Sequence, residues 1–426
     1  MSRESMSPIQ QLNEVLNHAR SIGIAQQVDE EDSHDGRSVM INGRESINFG
    51  SCGYMGLEFE PRVTAGAIEA IRKYGFVFNC SRSYLSNQMY PVLENLLEKI
   101  FLRPTLVAPT TTLLHLSSLP VLIDSDDVVL LDQQVHSSVQ LAAKVLKANG
   151  TQIDYVPHNH VARIERKIKS YKDSKKKIWY LGDGVYSMYG DFAPAKELQQ
   201  LLGLYEQFHL YFDDAHGMSW KGKRGSGYVL ENMTEHERLY VAVSLAKGFG
   251  TGGGAIACPN KEVKQLIRNC GGTQIFAGPL QPAILGAAVE SAKLHLSPEF
   301  PAMQKELHDL NKFCTESAEN LPLPMISAPD SPVRFVGVGQ TEKAQQIVKH
   351  VINQGFWLNI AQFPAVAPNH AGVRFMMTRK LSNRDIGNFM DALRNAAYEI
   401  LGKDEETYSQ IWKAFSKEYR YSLANG

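Results

Sequence analysis

The sequence has little of what would mark a disulfide-rich, metal-binding or membrane protein. It contains five cysteines among 426 residues, and none of them forms a Cys-x-x-Cys pair. This spacing favours reduced thiols over disulfides or a zinc site, so no metal is predicted. No apolar run is long enough to cross a bilayer, and the first residues lack the apolar core of a signal peptide. We therefore expect a cytoplasmic protein without a membrane span.

An excess of charge of one sign is also missing. The chain carries 44 Lys and Arg against 45 Asp and Glu, for a formal net charge of −1. This balance gives no reason to expect nucleic acid or an anionic membrane as a partner.

Short apolar runs alternate with helical patterns between residues 105 and 258. Repeated strand–helix units of this length predict an α/β domain with a mainly parallel, seven-stranded sheet covered on both faces. The predicted strands are Thr105–Ala108, Val128–Asp132, Ile153–Val156, Ile178–Leu181, Leu210–Asp213, Leu239–Ser244 and Ala255–Cys258. The predicted helices between them include Thr112–Leu122, Ser137–Ala148, Ala162–Tyr171 and Ala195–Gln207.

Two further regions flank this alternation. Apolar residues at helical spacing over Ile9–Ile22 predict an amphipathic helix near the N-terminus. Toward the C-terminus, helices alternate with short strands such as Val333–Val338 and Val373–Met377, and a charged helical tail is predicted to reach Tyr421. The predicted domains are an N-terminal helical arm, a large domain and a smaller C-terminal α+β domain, at residues 1–50, 51–296 and 297–426.

Several predicted strands end in polar residues. A glycine series follows Lys247, which lets the backbone turn sharply and approach a ligand closely. Ligands of such sheets bind outside the carboxyl ends of the strands, so His136, Asp183, Asp213 and Lys247 are predicted to converge. Taken alone, Lys247 is typical of a surface loop and Asp213 of an ordinary strand end. Together they favour a site for a cofactor that bears an aldehyde.

Six motifs resemble those of fold-type I pyridoxal-phosphate (PLP) enzymes, most closely the α-oxoamine synthases. This family includes 8-amino-7-oxononanoate synthase, glycine C-acetyltransferase, serine palmitoyltransferase and the synthases of α-aminoketone autoinducers. The motifs, which follow the family's order over nearly the whole chain, are Tyr54-Met-Gly-Leu57, Asp132-Gln-Gln-Val-His136-Ser-Ser, Asp183-Gly-Val-Tyr-Ser187-Met-Tyr-Gly-Asp191, Asp213-Asp-Ala-His216-Gly, Ser244-Leu-Ala-Lys247-Gly-Phe-Gly and Gly372-Val-Arg374-Phe. The resemblance implies a PLP-dependent transferase that acts as a homodimer.

The resemblance also implies a role for each matched residue. Lys247 resembles the lysine that binds pyridoxal 5'-phosphate covalently and later transfers protons. Asp213 resembles the carboxylate that pairs with the pyridine nitrogen. His216 would hydrogen-bond the ring hydroxyl, and His136 would stack on the ring. Arg374 matches the arginine that holds an amino acid carboxylate.

The remaining matched positions lie around the cofactor hydroxyl and phosphate. Asp183 and Ser187 resemble residues near the hydroxyl and the substrate, and Ser244 matches a phosphate-binding hydroxyl. Where the family usually has a Ser-Gly-aromatic turn, this chain has Thr110-Thr111-Thr112. Hydroxyls and free N–H groups at a helix N-terminus still bind an anion. Plain capping or packing is the alternative for any single threonine.

Three segments depart from the family pattern. Cys52-Gly53 replaces an asparagine before the Tyr-Leu-Gly motif, and Cys80–Gln88 replaces a glycine-rich loop, a variant more similar to the autoinducer synthases. Ile275-Phe-Ala-Gly-Pro279 lacks the hydroxyl that contacts the phosphate across the dimer. In the family, these segments face the acyl donor or contact the cofactor phosphate across the dimer.

The function implied by the resemblance is an acyltransferase. It would condense an amino acid with an acyl-CoA or acyl-carrier thioester, with decarboxylation, to an α-aminoketone. Because the thioester-facing loops depart from the pattern, an aminotransferase or another amino-acid-modifying enzyme of the same fold is the alternative. A non-enzymatic binding module is a third reading, which the intact Lys247, Asp213 and His136 disfavour.

Overall fold

A computed structural model describes residues 7–416 of the chain. Its strands are β1 Ser38–Ile41, β2 Arg44–Asn48, β3 Thr105–Ala108, β4 Val128–Asp132, β5 Gln152–Val156, β6 Ile178–Asp183, β7 Phe208–Asp213, β8 Leu239–Ser244, β9 Gly254–Ala257, β10 Val333–Gly339, β11 Phe356–Trp357, β12 Asn359–Ala361 and β13 Ala371–Met376. Its helices are α1 Pro8–Ser21, α2 Pro61–Tyr74, α3 Met89–Phe101, α4 Thr111–Leu122, α5 Ser137–Ala148, α6 Val161–Tyr171, α7 Ala195–Leu204, α8 Tyr228–Asn232, α9 Lys261–Cys270, α10 Gly272–Phe276, α11 Pro282–His295, α12 Phe300–Ala318, α13 Thr341–Asn353, α14 Asn383–Leu401 and α15 Glu405–Ala414. None of these described helices has both the length and the apolar character that crossing a membrane requires.

The central sheet contains seven strands in the order β3-β9-β8-β7-β6-β4-β5. β9 is antiparallel to both of its neighbours, and the other six strands run in one direction. Alternate residues along a strand belong to two separate hydrophobic clusters: Leu130 and Tyr180 to one, Leu131 and Leu181 to the other. The sheet is therefore buried on both faces, as expected for parallel strands joined by helices. The predicted α/β fold with a mainly parallel, seven-stranded sheet is confirmed.

Several predicted boundaries differ from the structure, and two of these differences concern the strands that lead to the site. β6 continues two residues beyond the predicted end at Leu181, because its pairing with β7 extends through Gly182 and Asp183. The helix predicted over Ala195–Gln207 ends at Leu204, since Tyr205 is already extended and leads into β7. Both differences lengthen the strands that carry Asp183 and Asp213.

Two three-stranded sheets lie outside the central one, β10-β13-β12 and β1-β2-β11. The second was not predicted, because β1 and β2 fall within residues 1–50, expected to be a helical arm. An available signal was the Asn42-Gly43 dipeptide, whose two positive φ angles form the turn of this hairpin. β2 pairs with β11, so the N-terminal segment is tied to the C-terminal region.

The proposed division at residues 51–296 and 297–426 remains a prediction. The helical tail predicted to Tyr421 lies partly outside the described residues, and α15 is its described part.

Helices α2 and α11 pack with their backbones in contact at two glycines. A Cβ added at Gly286 would lie 2.2 Å from the carbonyl oxygen of Gly66, and one added at Gly66 would lie 2.7 Å from that of Gly286. α11 in turn supports the glycine loop after β8, because Ser291 Oγ donates a 2.7 Å hydrogen bond to the Phe249 carbonyl. This close contact therefore helps to hold the loop that carries Lys247.

Replacing Gly286 with alanine tests this contact. We expect Gly286→Ala to lower the free energy of unfolding by about 1–3 kcal/mol, because two backbones must separate to admit the methyl group. Gly387→Ala on α14 is the matched control, since a Cβ there meets no atom within 4 Å. It should raise the free energy of unfolding by about 0.5–1 kcal/mol. Urea denaturation measures both, and equal effects would show that the α2–α11 contact is loose.

Candidate active site

Lys247 lies in a tight loop between β8 and β9. The N–H of Leu245 donates to the carbonyl of Gly253 at 3.0 Å, and the N–H of Gly250 donates to the carbonyl of Lys247 at 2.8 Å. Gly250 and Gly253 have positive φ angles of 77° and 101°, which favour glycine. The glycine series predicted to turn the backbone thus closes the loop and fixes the position of the lysine.

The lysine amine contacts a buried histidine. Nζ of Lys247 lies 2.7 Å from Nε2 of His216, and Nδ1 of the same ring lies 2.6 Å from the hydroxyl of Tyr54. Lys247 keeps some accessible surface, but burial by the surrounding protein lowers its pKa, and the charge of Asp213 only partly opposes this. Burial and the charge of Lys247 hold the pKa of His216 well below its usual range. The pair therefore favours a neutral, nucleophilic amine.

The pKa values of two carboxyl groups at adjacent strand ends are shifted in opposite directions. Asp183 and Asp213 are directly paired in the sheet. Burial disfavours the charge of Asp213, but the charge and hydrogen bond of His115, 2.9 Å away, outweigh it and lower the pKa of Asp213 to about 2. Burial and the charge of Asp213 raise the pKa of Asp183 well above its usual value. Asp213 is therefore the one that stays ionised, as a partner for a protonated ring nitrogen must.

His115 is a site residue that the sequence analysis missed. It lies on α4, and its Nδ1 is 2.8 Å from the hydroxyl of Tyr211, which is also 3.0 Å from Ser118 Oγ. Tyr211 and Asp213 share one face of β7 because they are two residues apart. A single histidine in an apolar helix was the available signal, but its pairing depends on how α4 lies over β7, which the sequence does not supply.

The N-terminus of α4 meets the ends of β8 and β9. Thr110 caps the helix, because its side chain accepts a 3.1 Å hydrogen bond from the N–H of Leu113. This threonine therefore has the capping role that was the alternative to phosphate binding. Thr111 Oγ1 donates to the carbonyl of Val243 at 3.4 Å. A Cβ added at Gly254 would lie 2.7 Å from the Thr111 nitrogen, so only glycine permits this approach.

Two further predicted hydroxyls lie on these elements. Ser244 ends β8, and its Oγ accepts a 3.2 Å hydrogen bond from the N–H of Ala246. Thr112 follows in the first turn of α4 and is partly exposed. A helix N-terminus surrounded by hydroxyl groups suits a phosphate, because its N–H groups and dipole favour an anion.

His136 lies at the start of α5, next to the same strand ends. Its N–H donates to Oδ1 of Asp183 at 3.1 Å, and its Nδ1 lies 2.6 Å from Ser138 Oγ. Burial lowers the pKa of its ring, although the charge of Asp213 opposes the change. The ring is thus held neutral beside the two carboxylates.

Arg374 brings the small antiparallel sheet to the site. It lies on β13, and its Nε donates a 2.7 Å hydrogen bond to the carbonyl of Ser187, in the loop after β6. Its charge is one of the influences that lower the pKa of His216 and of Lys247, as expected for a cation close to both. The site thus combines an amine of lowered pKa, an ionised carboxylate, a helix end that suits an anion, and a guanidinium. These groups fit PLP and an amino acid.

The chain belongs to the aminotransferase class I and II family, whose family model matches residues 47–393. The cofactor of the enzyme is PLP. The protein is a PLP-dependent transferase with the fold-type I architecture.

Curated relatives agree with the predicted resemblance to the α-oxoamine synthases. The 8-amino-7-oxononanoate synthase of Thermoanaerobacter pseudethanolicus is 26% identical over 393 residues, which cover 91% of this chain and 97% of the relative. The enzyme of the same name from Treponema denticola is 29% identical over 345 residues, covering 80% of this chain and 84% of the relative. The resemblance is therefore confirmed.

Solved structures share the fold. Serine palmitoyltransferase of Sphingomonas wittichii superimposes with a TM-score of 0.83 at 20% identity, covering 93% of this chain and 99% of the other. The 8-amino-7-oxononanoate synthase of Francisella tularensis superimposes with a TM-score of 0.69 at 19% identity, covering 83% and 98%. At these identities the likeness establishes the fold alone.

Replacing His115 tests its effect on Asp213. His115→Leu removes the charge and the hydrogen bond that hold the pKa of Asp213 at about 2, so burial should raise this pKa. Asp213 is ionised above its pKa and loses its charge as the pH falls, so the loss should begin at a higher pH in the variant. We expect cofactor affinity at mildly acid pH to fall in the variant. The fall should be about tenfold for each unit by which the raised pKa of Asp213 exceeds the pH of the measurement.

The matched control is His209→Leu on the same strand, where Nδ1 of His209 contacts the carbonyl of Gln207 instead of the site. Equal cofactor affinity at every pH in the His115→Leu variant would contradict the coupling to Asp213.

Proposed function

We propose that the protein condenses an amino acid with an acyl thioester, with loss of carbon dioxide, to form an α-aminoketone. The observation that carries the proposal is the contact of Lys247 with His216 at 2.7 Å, in a site that also contains Asp213 and Arg374. This set can accept a cofactor aldehyde and an amino acid together. The curated relatives named 8-amino-7-oxononanoate synthase support the acyl-transfer chemistry.

The amine of Lys247 is the proposed point of attachment and the proposed proton carrier. When bound, PLP withdraws electrons from the α-carbon of the amino acid. Lys247 takes the α-proton, because a desolvated amine is neutral and basic. His216 stands beside this amine, at hydrogen-bonding distance from the atom that gains and loses the proton.

The carboxylates and the imidazole of His136 orient the ring. Asp213 remains ionised and thereby keeps a ring nitrogen protonated, which sustains the electron withdrawal. Asp183 holds the backbone of His136 at the start of α5 through a 3.1 Å hydrogen bond, and the His136 ring is proposed to stack on the cofactor. The carbonyl of Ser187 accepts the hydrogen bond from Arg374, so Ser187 is proposed to lie near the cofactor hydroxyl and the substrate.

The N-terminal turn of α4 is proposed to hold the phosphate. Thr111, Thr112 and Ser244 supply hydroxyl groups there, and Thr110 fixes the helix start. An anion at this position gains from the helix dipole and from the N–H groups of the first turn.

Acyl transfer is tested by mixing the enzyme with a panel of amino acids and a series of coenzyme A thioesters. Thiol release and carbon dioxide should appear only when both substrates are present. Lys247→Ala should lower the rate by about 10²–10⁴-fold or more, because it removes the proton-transfer group. Lys144→Ala, an exposed position on α5, is the control and should leave the rate unchanged. Amino transfer to a keto acid without any thioester would identify an aminotransferase instead.

Arg374 should determine the requirement for a carboxylate. Its guanidinium can form two parallel hydrogen bonds to a carboxylate, a geometry that lysine does not reproduce. Arg374→Lys should weaken amino acid binding by about 1.5–3 kcal/mol, the scale of a charge-assisted hydrogen bond. Cofactor content should stay the same.

Spectroscopic titration of the lysine-bound cofactor measures this affinity. Arg394→Lys on the surface of α14, where the arginine pairs with Asp391, serves as the control. Equal affinity of the unmodified enzyme for an amino acid and for the amine without its carboxyl group would exclude the role of Arg374.

An exposed apolar patch is the proposed site of dimerisation. It consists of Phe76, Val77, Tyr84, Leu85 and Phe276, of which Phe276 is 87% exposed and Tyr84 86% exposed. Ser81 Oγ donates to the carbonyl of Ile275 at 2.7 Å and joins the two segments. The patch continues to the cofactor site through Thr273, whose hydroxyl donates to the carbonyl of Leu113 on α4. A second copy of this chain is therefore the proposed occupant.

Light scattering over a dilution series tests the dimer. Phe276→Glu should shift the enzyme toward monomers, because it places a charge in the apolar patch. Leu204→Glu, an exposed apolar position at the end of α7, should leave the dimer intact. An unmodified enzyme that is monomeric and retains its cofactor would refute the assembly. A cytoplasmic location likewise remains a proposal.

A further inference from the structure

Both ring nitrogens of His216 have partners. Nδ1 lies 2.6 Å from the hydroxyl of Tyr54, and Nε2 lies 2.7 Å from Nζ of Lys247. His216 and Tyr54 are buried, and Tyr54 has no exposed surface. A neutral imidazole carries one N–H, so the nitrogen that donates decides which nitrogen accepts. The two hydrogen bonds are therefore linked through the ring.

Two arrangements of protons are compatible with these distances. In the first, Tyr54 donates to Nδ1, and Nε2–H donates to the lone pair of a neutral Lys247 amine. In the second, Nδ1–H donates to the Tyr54 oxygen, and Lys247 donates to Nε2. The second arrangement leaves the proton of the Tyr54 hydroxyl in need of another acceptor.

The surroundings of Tyr54 favour the first arrangement. The Tyr54 hydroxyl lies at hydrogen-bonding distance from Nδ1 of His216. A second side chain that acts on it among the described residues is Cys52, which favours the protonated form of the tyrosine. A thiol sulfur is a weak acceptor, whereas an imidazole nitrogen is a strong one. A buried hydroxyl without a good acceptor costs free energy, so its proton belongs on the side of Nδ1.

We propose that Tyr54 is a positioning residue that fixes His216 in the tautomer with its proton on Nε2. Nε2–H therefore points its proton at Lys247, and the amine must present its lone pair. By fixing the proton of His216, Tyr54 favours the neutral, nucleophilic form of the Lys247 amine. The inference rests on the proposed function, because it assigns the cofactor to Lys247. It goes further by naming the residue that sets the proton position.

The protonation of Tyr54 agrees with this arrangement. Burial raises the pKa of its hydroxyl well above the ordinary value, so the tyrosine keeps its proton near neutral pH. The groups whose charges act on His216 are Lys247, Arg374 and His136, and all of them oppose a second proton on the ring. With the cofactor bound, this Nε2–H would be available to donate a hydrogen bond to the cofactor's ring hydroxyl.

The tautomer is read directly by ¹⁵N NMR of the holoenzyme labelled at histidine. The chain has 13 histidines, and the resonances that disappear in His216→Gln identify His216. Nε2 should be protonated and Nδ1 unprotonated in the unmodified enzyme. In Tyr54→Phe, the ring loses the donor to Nδ1, and a second population with protonated Nδ1 should appear. A protonated Nδ1 in the unmodified enzyme would overturn the proposal.

A double-mutant cycle separates this role from general destabilisation. Tyr54→Phe should raise the cofactor dissociation constant about tenfold, the factor that corresponds to one hydrogen bond. In the His216→Gln background the same change should have little further effect, because Tyr54 acts through that ring. Equal effects in both backgrounds would show that Tyr54 acts independently of His216.

Tyr228→Phe is the matched control. It also removes a buried hydroxyl, which donates to the carbonyl of Ala193 at 2.7 Å. It should leave the His216 resonances and the cofactor dissociation constant unchanged. Both readouts are independent of acyl transfer. A failure of the tautomer assignment therefore leaves the proposed reaction standing, and a missing thiol release leaves the tautomer result standing.

Discussion

The contact between the Lys247 amine and the His216 ring is the constraint on which the rest of the site depends. When an amine is buried beside a neutral imidazole, its charged form is high in free energy, because desolvation destabilises the ammonium ion. The charge of Asp213 opposes this effect only in part, and the same carboxylate also pairs with His115. The competition leaves a lysine that is neutral enough to attack an aldehyde and a carboxylate that is ionised enough to hold a ring nitrogen.

The central sheet makes this competition possible by setting distances between strand ends. Asp183 and Asp213 occupy paired positions on β6 and β7, and β8 delivers Lys247 next to them. The antiparallel strand β9 then brings Gly254 against the first turn of α4. A site with an amine at one end and an anion-binding helix at the other follows from the order of four adjacent strands. Arg374 comes from β13, in the three-stranded sheet that lies outside the central one.

Much of this arrangement was predictable from the sequence, for definite reasons. The apolar runs of β4, β6, β7 and β8 are buried on both faces, so they stand out without an alignment. Lys247 and Asp213 follow two of these runs directly. His115 and the hydrogen bond of Tyr54 were not predictable, because each depends on how a helix or a loop lies over the sheet. The β1–β2 hairpin was missed although Asn42-Gly43 signals its turn, since both strands are short.

Covalent attachment of the cofactor to Lys247 can be measured by chemical trapping. The purified enzyme is reduced with borohydride and digested, and the peptides are analysed by mass spectrometry. We expect a pyridoxyl phosphate group on the peptide that contains Lys247, and its loss in Lys247→Ala. Recovery of the group on a different lysine of the unmodified enzyme would show that the amine beside His216 is not the nucleophile.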